Sequence, residues 1–168
     1  MLNLLGTLVL MSAAPAKSVS LEEVQALIAE KGPRGTIHQL FEDDERWDQF
    51  LEIIATGKKE WLTIAAQLRP ATDAHASETL DMALQEALPR NPAGVLDLVA
   101  TDVVSVSQVC GMYGFGQIED ERPNTVLVAL VDKRIAAVSA LKQPTLSGVR
   151  NACLEELQAL RVLLEKSK

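Results

Sequence analysis

Apolar residues recur at helical spacing along most of this chain, and cap or stop signals separate one run from the next. The first run follows Ser20 and Glu23, whose spacing is that of a capping box, and it stops at Gly32-Pro33. Each run of this kind predicts one short helix. The next runs extend from Thr36 to Phe41, from Asp43 or Asp44 to Gly57, from Trp61 to Pro70, from Asp73 to Pro89 and from Asn91 to Val99.

The pattern weakens beyond residue 101. Val103–Val109 alternates as a strand would, but a lone strand has no partner here, so we predict a helix that leads into Cys110. The remaining segments are predicted as a loop over 111–123, a helix from its N-cap Asn124 through Val138, and a last helix from Pro144 to Leu164. Seven or eight short helices predict an all-α fold, either an irregular bundle or a HEAT-like array.

Composition agrees with this fold class. The 168 residues are enough for one ordinary domain, and 48% of them are apolar, which allows a buried core. Only 4% are aromatic, whereas Ala, Leu, Val and Ile are frequent, which suits closely packed helices better than a β-sandwich. Trp47 and Trp61 are expected to anchor that core.

The N-terminal segment predicts export. Leu2–Met11 is an apolar run, and Ala14-Pro15-Ala16 after it matches a signal-peptidase site. We therefore predict a signal peptide over residues 1–16, a single domain over 17–168 and a periplasmic location. The run is too short to be a permanent membrane anchor. An apolar first helix docked on the core is the alternative, because residues 1–16 contain no Lys or Arg.

Cys110 and Cys153 are the two cysteines of the chain. In an oxidising compartment an isolated pair predicts one disulfide, to which the loop-entropy model assigns about 4 kcal/mol of stability. The alternative is a pair of buried, reduced thiols in a cytosolic protein.

Several short segments over residues 54–153 form a recognisable set. They are Ile54-Ala55-Thr56-Gly57, Trp61-Leu62, Leu68-Arg69-Pro70, Thr72-Asp73-Ala74, Ala87-Leu88, Asn91-Pro92 and Val95-Leu96, with Cys110 and Cys153. In this set the chain resembles a loose group of small exported proteobacterial proteins, most of which have no assigned function. Small exported helical proteins also include immunity proteins that neutralise peptidoglycan-attacking toxins, and the chain is similar to these in class. The resemblance implies a helical fold and no particular chemistry.

No combination of residues predicts an enzyme, a cofactor or a metal. His75 has Asp73 nearby, but a zinc site needs three or four converging ligands, and Asp73 is explained as a helix cap. His38 lies beside the acidic run Glu42–Glu45, which is explained as the negatively charged start of a helix. The other acidic side chains expected on solvated helical faces are Asp81, Glu86 and Asp97.

The net charge of the chain limits the classes of partner that it can attract. The net charge of −7, from 23 acidic and 16 basic side chains, gives no general attraction for nucleic acid, and no cluster of Lys and Arg offers a local one. An acidic protein suits a basic partner, because charge complementarity speeds association. We therefore predict a protein-binding module without catalysis, acting as an inhibitor of, or immunity protein for, a basic secreted toxin. A structural or accessory factor of the cell envelope is the alternative.

The predicted loop over 111–123 is the candidate partner-binding segment. It is the longest irregular stretch, it follows Cys110 directly, and loops held on a rigid scaffold often carry binding. The alternative is a solvated connection between two helices. The candidate contact residues are Tyr113, Phe115, Glu119, Asp120 and Glu121.

Overall fold

The computed structural model describes residues 18–111 and 123–166 of the chain. These residues form eight α-helices and two short 3₁₀ turns, with no strand among them, which confirms the all-α fold class. The helices are α1 (Leu21–Phe41), α2 (Asp44–Ala55), α3 (Lys59–Leu68), α4 (Ala74–Ala87), α5 (Pro92–Ala100), α6 (Val106–Cys110), α7 (Asn124–Ser139) and α8 (Ser147–Lys166), and the 3₁₀ turns are η1 (Arg69–Ala71) and η2 (Pro144–Leu146).

Four of the predicted start signals are helix caps. Ser20, Asp43, Asp73 and Asn91 each accept a hydrogen bond from a backbone amide in the first turn of α1, α2, α4 and α5 respectively. Such a bond satisfies an amide that has no partner within its helix and stabilises the helix by about 1 kcal/mol. The starts of these helices are therefore set by single side chains.

Helix α1 is kinked where the sequence predicts a break. Gly32 has φ 69° and ψ 175°, a conformation that glycine adopts without the strain of a Cβ, and Pro33 follows it. Helical structure resumes directly after Gly32, so the prediction that Thr36 opens the next helix is wrong. Thr36 is buried within α1, and its hydroxyl donates to the carbonyl oxygen of Gly32 at 2.9 Å.

The start of α7 also differs from the prediction. Pro123 is the N-cap and Asn124 is the first helical residue, so the prediction of Asn124 as the cap is wrong. The side-chain amide of Asn124 donates to the carbonyl oxygen of Leu164 at 3.1 Å. This contact joins the start of α7 to the end of α8, and the two helices form an antiparallel pair.

The alternating segment 103–109 is helical only in its second part. Helix α6 begins at Val106, where Ser105 and Gln108 form a reciprocal capping box. Val103 and Val104 precede this helix without belonging to a strand, since the described residues contain none.

The helices pack in pairs that skip a neighbour in the chain. Helix α2 packs on α4, α1 on α3 and α6 on α8, in addition to the α7–α8 pair. Stacked two-helix repeats also place each helix against the one two positions further along the chain, so this packing fits both predicted architectures, the irregular bundle and the HEAT-like array.

Both tryptophans are buried, as predicted. The ring of Trp47 contacts Phe41 and Phe50, with centroid distances of 4.5 Å and 5.3 Å, and Phe50 contacts Trp61 at 6.0 Å. These rings form one aromatic row that joins α1, α2 and α3 inside the bundle.

The predicted disulfide is present. Cys110 at the end of α6 is bonded to Cys153 in α8, with their Cα atoms 5.3 Å apart and both side chains fully buried. The bond ties the C-terminal helices to the body of the bundle, because α6 itself packs on α4.

Candidate functional site

One polar region of the molecule lies on the inner face of α4. Asp81 is fully buried there and accepts two hydrogen bonds from Arg69 of η1, from Nε to Oδ1 at 2.8 Å and from Nη2 to Oδ2 at 2.9 Å. The Gln108 side chain of α6 donates a third bond to Oδ2 at 2.8 Å. The prediction that Asp81 faces solvent is therefore wrong: a buried carboxylate needs such donors, and here it has three bonds.

The network continues in both directions from this ion pair. The guanidinium of Arg69 also donates to the hydroxyls of Thr72 and Ser77, which lie 2.6 Å from each other. On the other side, the buried Gln85 donates to the carbonyl oxygen of Gln108 at 2.7 Å.

Gln85 also joins the network to α7, because the buried Arg134 donates to its Oε1 at 3.3 Å. The inner face of α4 thus has polar contacts to η1, α6 and α7. These contacts hold the helices in position, and the buried carboxylate of Asp81 is out of reach of a ligand.

A second polar region lies on the outer face of α4, where α4 and α2 form a groove of about 280 Å³. The apolar floor contains Leu51 and Ala55 of α2 and Met82 and Ala83 of α4. The polar lining residues are Asp48, Glu52, Thr79 and Glu86. We refer to this region, with these eight residues, as the acidic groove.

The carboxylates of the acidic groove are exposed and without a counter-ion. Asp48, Glu52 and Glu86 make no ion pair with any residue that the structure describes, and no basic side chain lines the groove. Glu86 lies in the last turn of α4, where the helix dipole disfavours a negative charge. The predictions of solvated faces for Glu86 and Asp97 are confirmed, since both are exposed.

Contacts at both ends of the groove fix its two walls. At one end the indole of Trp47 donates to the hydroxyl of Thr79 at 3.2 Å. At the other end Arg90 donates to the carbonyl oxygens of Ala55 at 2.5 Å and Glu86 at 3.0 Å. The early residues of α2 therefore lie beside the early residues of α4, and the two walls run parallel.

The two histidines lie near a different groove, of about 430 Å³, between α1 and the segment that precedes α4. His38 is exposed and lies 3.3 Å from a carboxylate oxygen of Glu42, and His75 contacts the edge of Phe41 with ring centroids 5.6 Å apart. Asp73 lines this groove, but its carboxylate is used as the cap of α4. No set of three or more metal-ligating side chains comes together within the described ranges.

A third groove, of about 550 Å³, lies between α3, α5 and η2. Its rim contains one residue of each charge, Lys59 and Asp97, and several neutral side chains. The hydroxyls of Thr63 and Thr101 donate to carbonyl oxygens of their own helices. Because its charges are balanced, this groove favours no ligand of a particular charge.

An exposed ion pair joins α7 and α8. Arg161 donates to Asp132 at 2.7 Å and to Glu165 at 2.9 Å. The hydrogen bond that Arg161 donates to Asp132, the negative charge of Asp132 and that of Glu165 raise the pKa of Arg161 above its ordinary value. Arg161 therefore stays charged at any physiological pH.

The predicted partner-binding residues Tyr113, Phe115, Glu119, Asp120 and Glu121 lie outside the described residues, as does the predicted signal peptide over 1–16.

The acidic groove was not predicted from the sequence. The signal was partly available, because Asp48 and Glu52 are spaced to lie on one face of a helix. Which other helix would lie beside that face could not be seen.

Comparisons with known proteins add no identity: no family model, no curated protein and no solved structure matches this chain. Across residues 18–111 and 123–166, no helix combines the length and the apolar character that crossing a membrane requires.

Proposed function

We propose that this protein is an exported binding module without catalytic activity, and that it inhibits a basic secreted toxin by occupying one of its surfaces. The observation that carries the proposal is the acidic groove, in which three exposed carboxylates without a counter-ion among the described residues surround an apolar floor. A surface of this kind offers both parts of a protein interface, an apolar centre and a charged rim.

The overall charge supports the same kind of partner. The net charge of −7 attracts a basic protein from a distance, and the unpaired carboxylates direct it to the α2–α4 face. Rim charges of this kind mainly accelerate association and suppress wrong partners, which is what an inhibitor of a toxin requires.

The rigidity of the scaffold supports binding as well. The buried network around Asp81 and the Cys110–Cys153 bond hold α4 against its neighbours. A wall that is already ordered loses little conformational entropy when a partner docks on it. The disulfide also suits an oxidising compartment, in agreement with the export predicted from residues 1–16.

The experiment is affinity capture from the periplasmic fraction of the native host, followed by mass spectrometry. Three baits are compared: the unaltered protein, Glu52→Lys with Glu86→Lys in the groove, and Glu155→Lys with Glu156→Lys on the exposed face of α8 as a control of equal charge change. We expect a basic secreted enzyme with the first and third baits and its loss with the second.

Two results would contradict the proposal. Retention of the partner by the groove variant would show that another surface binds it. Capture of envelope assembly proteins in place of a toxin would favour the alternative, an accessory factor of the cell envelope.

A further inference from the structure

We infer that the acidic groove accepts one amphipathic α-helix of another protein, with Lys or Arg beside a stripe of apolar residues. This inference deepens the proposed function and rests on it. Its first basis is the spacing of the lining residues. The α2 wall presents Asp48, Leu51, Glu52 and Ala55, and the α4 wall presents Thr79, Met82, Ala83 and Glu86, so both walls follow the i, i+3, i+4, i+7 spacing of a continuous helical stripe.

Two parallel helical stripes form a groove in which a third helix can pack. From the first to the last lining residue of each wall, the groove extends about 10 Å, which is two helical turns. An amphipathic helix that lays its apolar face into such a groove is a recurrent mode of recognition, and its anchors follow the same spacing as the walls.

The floor of the groove permits close approach. Ala55 and Ala83 are small and buried, so neither presents a bulky side chain of its own to a partner helix. Met82 is only partly buried, and its flexible side chain can adapt to the apolar residue that enters. The floor therefore suits a medium-sized apolar anchor between the two walls.

The positions of the acidic side chains indicate which residues the docked helix carries beside its apolar stripe. Asp48 and Glu52 lie one turn apart on the α2 wall, and Glu86 lies at the far end of the α4 wall. A docked helix thus meets negative charge on both of its flanks. Lys or Arg on each side of the apolar stripe would pair with these carboxylates, which form no ion pair within residues 18–111 and 123–166.

The segments of this chain outside the described residues do not have that chemistry. Residues 1–17 contain one base, Lys17, residues 167–168 contain one, Lys168, and residues 112–122 contain three acids at 119–121 against the single base Arg122, so none of these segments has basic residues on both sides of an apolar stripe. The occupant therefore belongs to another molecule.

The test uses a fluorescein-labelled peptide of about four turns, built from Ala, Leu and Lys, with Lys on both flanks of a Leu stripe. A side-chain staple on the opposite face keeps it helical, because short helices are marginally stable in water. Two stapled controls accompany it: the same residues reordered so that no stripe remains, and the striped peptide with Glu in place of Lys. Fluorescence anisotropy gives Kd for each peptide.

We expect the striped peptide to bind at least about tenfold more tightly than the reordered one and the Glu peptide not to bind, because its carboxylates repel those of the groove. Glu52→Lys with Glu86→Lys should raise Kd by at least about tenfold, whereas Glu155→Lys with Glu156→Lys should leave it unchanged.

Each contrary result has its own meaning. Equal binding of the reordered peptide, or no binding of the striped one, overturns the helical occupant even if capture of a toxin still depends on the groove. Unchanged peptide binding by the groove variant overturns the site. If the unaltered protein dimerises in sedimentation and the groove variant does not, the occupant is a second copy of this chain and the inference is wrong.

Discussion

The inner and outer faces of α4 use the same chemical group in opposite ways. Asp81 points into the bundle, is fully buried and accepts hydrogen bonds from Arg69 and Gln108. Glu86, on the same helix, is exposed and has no ion pair with a described residue. The role of a carboxylate on a helix is therefore set by what packs against it. The inner one holds the fold together, and the outer one is available to a partner.

The carboxylates on the two faces of α4 also differ in the free energy that they cost the folded protein. On the inner face the hydrogen bonds to Asp81 offset the loss of its hydration. On the outer face the carboxylate of Glu86 keeps its hydration but lies in a disfavoured position near the end of α4. Substitutions on the inner face should therefore change stability, and those on the outer face should change binding.

The largest effect is expected from Asp81→Ala. This change leaves the guanidinium of Arg69 partly buried without its carboxylate and removes a partner from Gln108. We expect the free energy of unfolding to fall by about 3–5 kcal/mol, as for other buried pairs that lose one member. Urea unfolding followed by circular dichroism measures it.

The double variant Arg69→Met with Asp81→Leu sharpens this prediction. It removes both charges, while Thr72 and Ser77 can still bond to each other. Replacement of a whole buried pair by apolar residues is often tolerated, so we expect it to be more stable than Asp81→Ala. If the double variant is the less stable of the two, the network is needed for more than neutralising a buried charge.

The second largest loss of stability is expected from Cys153→Ser. Loss of the bond to Cys110 should lower the free energy of unfolding by about 2–5 kcal/mol. Because α6 carries Gln108, its release should also loosen the inner face of α4, while the acidic groove lies on the other side.

The measurement combines urea unfolding with the striped peptide. We expect a lower midpoint and an unchanged Kd at temperatures where the variant is folded. An equal loss of peptide affinity in the folded variant would mean that the two faces of α4 are not independent.

The sequence was sufficient for the features that depend on neighbouring residues. Helix caps such as Asp73 and Asn91 act within one turn, so their chemistry is visible in the chain itself. The disulfide was predicted because only two cysteines exist to form it.

Features that depend on packing between distant segments were missed. Asp81 and Gln85 are polar residues within a helix, and only the position of Arg69 in η1 and of Gln108 in α6 makes them interior groups. The acidic groove depends in the same way on α2 lying parallel to α4 with α3 between them in the chain. No periodicity encodes that choice of neighbour.

The smallest effect on the free energy of unfolding is expected from Glu86→Gln. A gain in stability is expected if this carboxylate is only an exposed surface charge, and a loss if it supports the fold. A negative charge in the last turn of a helix opposes the dipole, so its neutralisation should stabilise α4 by about 0.3–1 kcal/mol at low salt. Arg90 donates to the carbonyl oxygen of Glu86 and offsets part of this effect, which places the expected gain at the lower end. Glu155→Gln, in the middle of α8, serves as the matched control and should stay within about 0.5 kcal/mol of the unaltered protein.

The same Glu86→Gln variant should bind the striped peptide more weakly, because one carboxylate of the groove is lost. Urea unfolding and anisotropy on one preparation measure both quantities. A loss of stability together with unchanged peptide affinity would place Glu86 in the fold, with Asp81, and would remove it from the binding surface.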